Sequence, residues 1–309
     1  MTTSITADLL TDSTSSESAT AELTDSTTPA TDNNSTTDSA TSSQTTTDSA
    51  ISSQTTTDAA TSSQIATDAT TTQATTDAVT PQTTTDAVTP QTTAVACFDC
   101  ECAITVAGIT VTGPRKFNLS NNKTVICILD AVQNHKWTVI QRRFSTGSQS
   151  FDQDWIDYEN GFGTLASEFW IGNKYIHELT SIYGNTHLLI EMVAGTGNMG
   201  FAEYTFFIDD AIQDYRLHVS NYVGNRGDPL TSTGTCTECA DGMKFTTRDR
   251  DNDMQNLRNC ATYSRGGWWH NACQRSNLNG QFGQSSYVYG LNWDGFMDIS
   301  SVEMKVRKP

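Results

Sequence analysis

The 309-residue chain carries 35 Asp/Glu against 18 Lys/Arg, a formal charge of −17. That balance leaves no basic stripe for nucleic acid and no bare electrostatic grip on anionic membranes. The charge is segregated: residues 1–96 hold 12 of the acids and no Lys, Arg or His, while every Cys, Gly, Phe, Tyr and Trp lies beyond them.

Residues 1–96 lack the apolar side chains needed to offset chain entropy, so a disordered Ser/Thr-rich repeat stalk is expected there. Ten-residue units start at Thr41, Ile51 and Thr61, and nine-residue units at Thr80 and Thr89. Ser and Thr supply 48 of these 96 residues, the composition of an O-glycosylated, mucin-like spacer. The first ten residues show neither the basic start nor the apolar run of a signal peptide, so the expectation is a processed or incomplete product. No apolar run is long enough for a transmembrane helix.

Residues 97–309 contain all six Trp and suffice for a sizeable core. In chain order, the β-branched and aliphatic runs 125–129, 138–140, 188–193, 201–208 and 215–219 predict strands. Between them, 167–171 and 173–180 predict short helices, the second capped by Asn173. From about residue 224 onward Gly, Asn, Asp and Ser dominate and a loop-rich region is expected. The absence of βαβ alternation makes the class α+β with an antiparallel sheet.

Eight cysteines in an extracellular-looking chain point to disulfides. Cys260 and Cys273 would staple a short loop containing two Gly and two Trp. Cys97-x-x-Cys100 and Cys236-x-x-Cys239 leave a four-thiolate zinc site as the alternative, which the oxidising compartment disfavours. Sequons at Asn118 and Asn122 fit a secreted protein. The densest polar cluster is Asp249-Arg250-Asp251-Asn252-Asp253. Alternate carboxylates in a loop converge on a hard cation such as Ca2+, which takes about six to eight oxygens. An EF-hand is excluded, because Met254 occupies the sharp-turn Gly position and Cys260 that of the bidentate Glu.

The ordered blocks Trp137-Thr138-Val139-Ile140-Gln141-Arg142-Arg143, Glu168-Phe169-Trp170-Ile171-Gly172-Asn173, Asp249-Arg250-Asp251-Asn252-Asp253, Asn259-Cys260-Ala261, Gly266-Gly267-Trp268-Trp269, Asn271-Ala272-Cys273 and Ser276-Asn277-Leu278-Asn279-Gly280 together resemble the fibrinogen-like C-terminal domain. Ficolins, tachylectins and invertebrate fibrinogen-related proteins share it. The resemblance spans residues 97–309 and implies a central antiparallel sheet with short helices, preceding a loop-rich C-terminal subdomain for calcium and ligand. It implies the disulfides Cys260–Cys273 and Cys102–Cys127, with Cys100 the alternative partner of Cys127. Cys236 and Cys239 fall in an insertion that relatives generally lack, where local or mutual disulfides are expected.

For calcium, the resemblance implies the carboxylates of Asp251 and Asp253 and the carbonyls of Gln255 and Leu257. For ligand, it implies acetyl-group recognition beside a cis Ala272–Cys273 bond, within a cup of Tyr263, Ser264, Gln274, Tyr287, Val288 and Met297. Several cup residues depart from the family pattern: Ser264, Gln274 and Met297 replace the usual Tyr, His and Tyr, and Val288 is bulkier than Ala. Altered acetyl specificity follows. Trp268 and Trp269 are read as packing residues.

No nucleophile elbow, P-loop or H-E-x-x-H is present, so no enzyme is expected. The leading expectation is a secreted, calcium-assisted, lectin-like protein that binds acetylated or related glycans on cell surfaces in innate defence. The alternative is an extracellular matrix or adhesion protein whose fibrinogen-like head binds a protein receptor. No collagen repeat or heptad is present, and an oligomer stays open.

Overall fold

The computed structural model describes residues 7–9 (backbone only), 94–231, 236–273, 275–283 and 290–309. The predicted stalk falls almost wholly outside the described residues, as do Gln274, Tyr287 and Val288.

A ten-stranded antiparallel sheet organises the domain, its main path running β1-β2-β3-β4-β12-β7-β8-β9. The strands are β1 (Ala7–Leu9), β2 (Gly113–Asn118), β3 (Thr124–Asp130), β4 (His135–Phe144), β5 (Phe162–Gly163), β6 (Phe169–Trp170), β7 (His187–Ala194), β8 (Met199–Ile208), β9 (Leu217–Gly224) and β12 (Ile299–Arg307). A separate two-stranded ribbon joins β10 (Ser276–Asn277) to β11 (Asn292–Trp293). Burial alternates along β7 and β8, so Leu188, Ile190, Met192, Ala202, Tyr204 and Phe206 all point to one face. Gly197, at φ 82, turns the chain between these two strands. The C-terminal β12 inserts between β4 and β7, so the last strand closes the middle of the sheet.

Three local expectations differ from the structure. Residues 167–171 contain strand β6 rather than a helix, because Phe169 and Trp170 pair with β4 and β5 while both side chains are buried. Helices α1 (Cys100–Val106) and α2 (Trp155–Asn160) precede α3 (Asn173–His177), which is capped by Gly172, and Asn173 Oδ1 instead accepts the Trp170 indole N–H at 3.0 Å. Within the expected stalk, β1 pairs with β2 in the register Ala7↔Phe117 to Leu9↔Arg115. An open strand edge offers backbone partners to any extended segment, core or no core.

The Cys102–Cys127 pairing is also corrected. Helix α1 (Cys100–Val106) is capped by the Asp99 carboxylate, which accepts the Cys102 N–H at 2.9 Å, and it buries Cys100, Ala103 and Ile104. Two residues on, Cys102 lies about 200° around the helix, away from β3. Cys100 therefore joins Cys127, and Cys102 joins Cys97. Cys236–Cys239 and Cys260–Cys273 complete the set, with no free thiol among the described residues. The four-thiolate zinc alternative is thereby lost.

An aromatic cluster ties the sheet to the loop-rich region. Trp269 packs 5.1 Å from Trp268 and 5.2 Å from Phe245, and its indole N–H donates to Tyr215 O at 2.8 Å. Tyr158 donates to Phe151 O at 2.6 Å and accepts the Gly267 N–H at 3.0 Å, while burial pushes its phenol above the usual tyrosine range. Rings of this size contribute most of the local burial energy and hold an otherwise irregular segment in place. Both Trp268 and Trp269 are buried, consistent with packing.

Candidate functional site

The acidic cluster divides into structural and unclaimed side chains. Asp249 accepts the Trp155 N–H at 2.8 Å and the Thr247 hydroxyl at 2.7 Å. Asn252 donates to Phe245 O at 2.8 Å. Arg250 turns away from the loop: it pairs with Asp214 and lies 3.9 Å over the Trp155 ring. None of the three cluster carboxylates forms an ion pair among the described residues; with Asp249 spent on Trp155 and Thr247, Asp251 and Asp253 are the two left for a cation.

Asp253 is held by its own loop. Its Oδ1 accepts the Gln255 N–H at 2.8 Å and its Oδ2 the Cys260 N–H at 2.7 Å. Asp251 Oδ1 accepts the Asp253 N–H at 3.3 Å, which brings the second carboxylate alongside. Burial, with Asp251 adding like-charge repulsion, pushes the Asp253 carboxyl up to about 6, against the pull of the two backbone N–H bonds. A half-buried carboxylate that stays destabilised despite two donors lacks a countercharge.

The carbonyls of Gln255 and Leu257 accept no hydrogen bond among the described residues. Among those residues no three His, Cys, Asp or Glu side chains converge as a metal site, so a cation here would depend on backbone oxygen. Two carboxylates and two unclaimed carbonyls within residues 251–257 would offer only oxygen donors, which suits Ca2+ and not a thiolate- or imidazole-seeking metal.

Helix α4 (Cys260–Ser264) begins directly after this loop. Asn259 caps it by accepting the Thr262 N–H, and the Asn259 amide donates to Thr247 O at 2.8 Å. Tyr263 lines an open cleft of about 380 Å3 with Arg258, Asn259, Thr262 and Arg265. The Arg258 guanidinium sits 4.6 Å over the Tyr263 ring. Ser264 is fully buried, contrary to its expected place in a ligand cup. Its hydroxyl donates to Cys260 O at 2.6 Å, one helical turn back, which leaves it facing inward. Met297 is half-buried between β11 and β12.

The Ala272–Cys273 peptide bond is cis. The Cys236–Cys239 loop lies along it as a strap. Ala272 N donates to Thr237 O and Arg275 N to Glu238 O, each at 3.3 Å, while the Asn271 side-chain amide donates to Cys239 O at 2.9 Å. Three successive strap carbonyls are thus met by the segment 271–275. Arg275 fastens the arrangement, with Nη1 3.7 Å from Cys239 Sγ and Nη2 2.5 Å from Asp294 Oδ1. Sequence reading singled out Cys236-x-x-Cys239 but not its seat. The C-x-x-C spacing signals a local loop, whereas its docking partners lie more than 30 residues further along the chain.

The exposed side chains of Asn118 and Asn122 flank the β2–β3 turn, where both sequons are accessible. Among the described residues no helix is long and apolar enough to cross a membrane.

Residues 99–308 match the family described as fibrinogen beta and gamma chains, C-terminal globular domain. The chain belongs to this family. Human angiopoietin-related protein 7 is 35% identical over 227 residues, covering 69% of this chain and 62% of that protein. Tenascin-R of Gallus gallus is 38% identical over 195 residues, covering 62% of this chain and 14% of that protein. The chain thus spans less than two thirds of the length of either relative. Among solved structures, the fibrinogen-like globe domain of human ANGPTL2 matches with TM-score 0.58 and 37% identity, covering 68% of this chain and 98% of that one. Lamprey fibrin D-dimer, complexed with the peptide Gly-His-Arg-Pro-amide, matches with TM-score 0.57 and 28% identity, covering 68% and 73%. Family membership places the chain among non-enzymatic, fibrinogen-like proteins.

Proposed function

We propose that the chain is an extracellular, calcium-assisted adhesion or receptor-binding protein whose fibrinogen-like head recognises a protein through its loop-rich face. The observation that carries this reading is the strap. Thr237 O and Glu238 O occupy the N–H groups of Ala272 and Arg275, and together with the inward-facing Ser264 they leave little of a small acetyl cup. A surface built from a strap, a calcium loop and α4 suits a broad protein partner better than a single sugar. Similarity to angiopoietin-related protein 7 and tenascin-R, and the peptide carried by the lamprey fibrin relative, support the same choice. Four disulfides support an oxidising, extracellular setting.

Asp251, Asp253 and the carbonyls of Gln255 and Leu257 would hold the Ca2+. The ion would neutralise the loop and fix the residues between Asp253 and α4. The acetyl-glycan reading, with its role in innate defence, rests on Tyr263 and the cleft it lines. Binding of the labelled chain to cultured cells, with and without EDTA, separates the two. Loss of binding after trypsin treatment of the cells, with a silent glycan array, supports the protein receptor. EDTA-sensitive array signals on acetylated sugars, with trypsin-resistant cell binding, overturn it in favour of the lectin.

A further inference from the structure

A second cleft, of about 360 Å3, opens where the end of β4 meets the loop 145–152 and the chain leaving β10. Its floor is Arg143, whose side chain is 4% exposed. The guanidinium lies between two rings, 4.0 Å from Phe151 and 4.7 Å from Phe282. Nη1 is consumed by Leu278 O and Gly280 O. Nε, also buried, has no hydrogen-bond partner and stands 3.8 Å from Glu168. Nη2 donates to no atom among the described residues and is not among the sealed, unsatisfied polar atoms, so it opens toward the cleft. Burial lowers the Arg143 pKa to about 10, which leaves it charged at neutral pH.

The carboxylates nearby are already engaged. Glu168 accepts the Phe144 N–H at 3.1 Å and the Gln149 N–H at 3.0 Å. Asp152 turns to Arg248, at 3.8 Å. At the rim stands Arg265, the exposed left-handed C-cap of α4; its backbone N–H donates to Ala261 O, and its side chain makes no ion pair or hydrogen bond among the described residues. Arg143 is ion-paired with Glu168, so what the cleft keeps for a visitor is donors rather than net charge: the Nη2 edge of one desolvated guanidinium inside and the Arg265 guanidinium at the rim. The remaining lining, including Ser145, Ser148, Gln149 and Gln281, consists of hydroxyls and amides.

The geometry points to a binding site for a carboxylated sugar, such as a hexuronate unit, with its carboxylate on Arg143 and Arg265 and its hydroxyls on the Ser and Gln side chains. Charge-assisted bonds from a guanidinium to a carboxylate are the strong kind, and the low-dielectric floor strengthens them. This site uses none of the calcium loop, the strap or the Tyr263 ring, and shares only Arg265 with the cleft that Tyr263 lines.

The test titrates the full chain with sodium glucuronate, glucose, or a short peptide with a free C-terminal carboxylate, followed by amide NMR shifts. Saturable shifts at Gln149 and Gln281 with glucuronate alone, unchanged by EDTA, support the site. Arg265→Ala, an exposed change that leaves the fold intact, should weaken glucuronate about tenfold, the loss of one charge-assisted bond. Arg143→Lys, with its melting curve checked, should abolish the shifts. Equal shifts with glucose, equal shifts with the peptide, dependence on calcium, or an unaltered Arg265→Ala titration would each overturn the assignment.

Discussion

Asp253 offers the most direct test of the calcium loop, by way of pH. Its folded-state carboxyl is pushed up to about 6 by burial and by Asp251, whereas an unfolded Asp titrates near ~4. Between those values the folded chain holds more protons than the unfolded chain, so stability falls as pH rises through about 4 to 6 and is flat above. The displacement corresponds to about 3 kcal/mol against the charged form. Because Asp253 is only half-buried, screening leaves about 1 kcal/mol. For a domain of this size that is about 2–4 °C in melting temperature.

Calcium replaces the missing proton, so at pH 7.5 it should restore this loss and add its own binding energy, about 2.7 kcal/mol at a hundredfold excess over Kd. At pH 5 the same calcium concentration should stabilise less, since protons compete for Asp253. The assay is a set of thermal melts at pH 4.5, 6 and 7.5, in EDTA and in calcium, for wild type and Asp253→Asn. Comparison with the variant subtracts every other titrating group. The variant should lose the Asp253 part of the pH slope and most of the calcium shift. A variant whose calcium shift and pH slope match wild type would refute the reasoning.

Three further outcomes follow from named contacts. Peptide mapping under non-reducing conditions should recover Cys97–Cys102 and Cys100–Cys127, and Cys100→Ser should cost about 3 kcal/mol in denaturant melts, because that bond closes a far longer loop than its neighbour; a Cys102–Cys127 peptide would contradict the helix-face argument. Arg275→Ala should release the strap, with faster hydrogen exchange at the Ala272 and Arg275 amides and a loss of about 1–2 kcal/mol; unchanged exchange would mean that the strap is held elsewhere. Gly147→Ala would place a methyl 1.8 Å from Glu168 Oε2, in a carboxylate already gripped by two backbone donors; destabilisation of about 2–3 kcal/mol is expected, and a neutral result would show that the loop 145–149 yields freely.

The strands that read correctly from sequence are those whose burial follows one clear period. Residues 188–193 and 201–208 alternate because one sheet face is packed and the other is not. Residues 167–171 misread as helix for the opposite reason: Phe169 and Trp170 are buried on both sides, so no period survives and the pairing with β4 decides the conformation. At the candidate site, the alternate carboxylates of 249–253 were legible as a polar cluster. Which of them are spent on structure was not, since Trp155 N, which claims Asp249, lies 94 residues earlier.

By itself, the sequence determined the α+β class, the family resemblance and the oxygen-rich composition of the 249–253 loop. Each rests on composition, short-range periodicity or local spacing, and all of these are properties of the covalent chain. The tertiary structure alone decided that Cys100 rather than Cys102 faces β3, that Ser264 turns inward, and that the strap 236–239 lies along Ala272–Cys273. Those outcomes depend on which groups meet across tens of residues, where helix phase and competition for backbone N–H groups choose among partners that local spacing leaves equivalent.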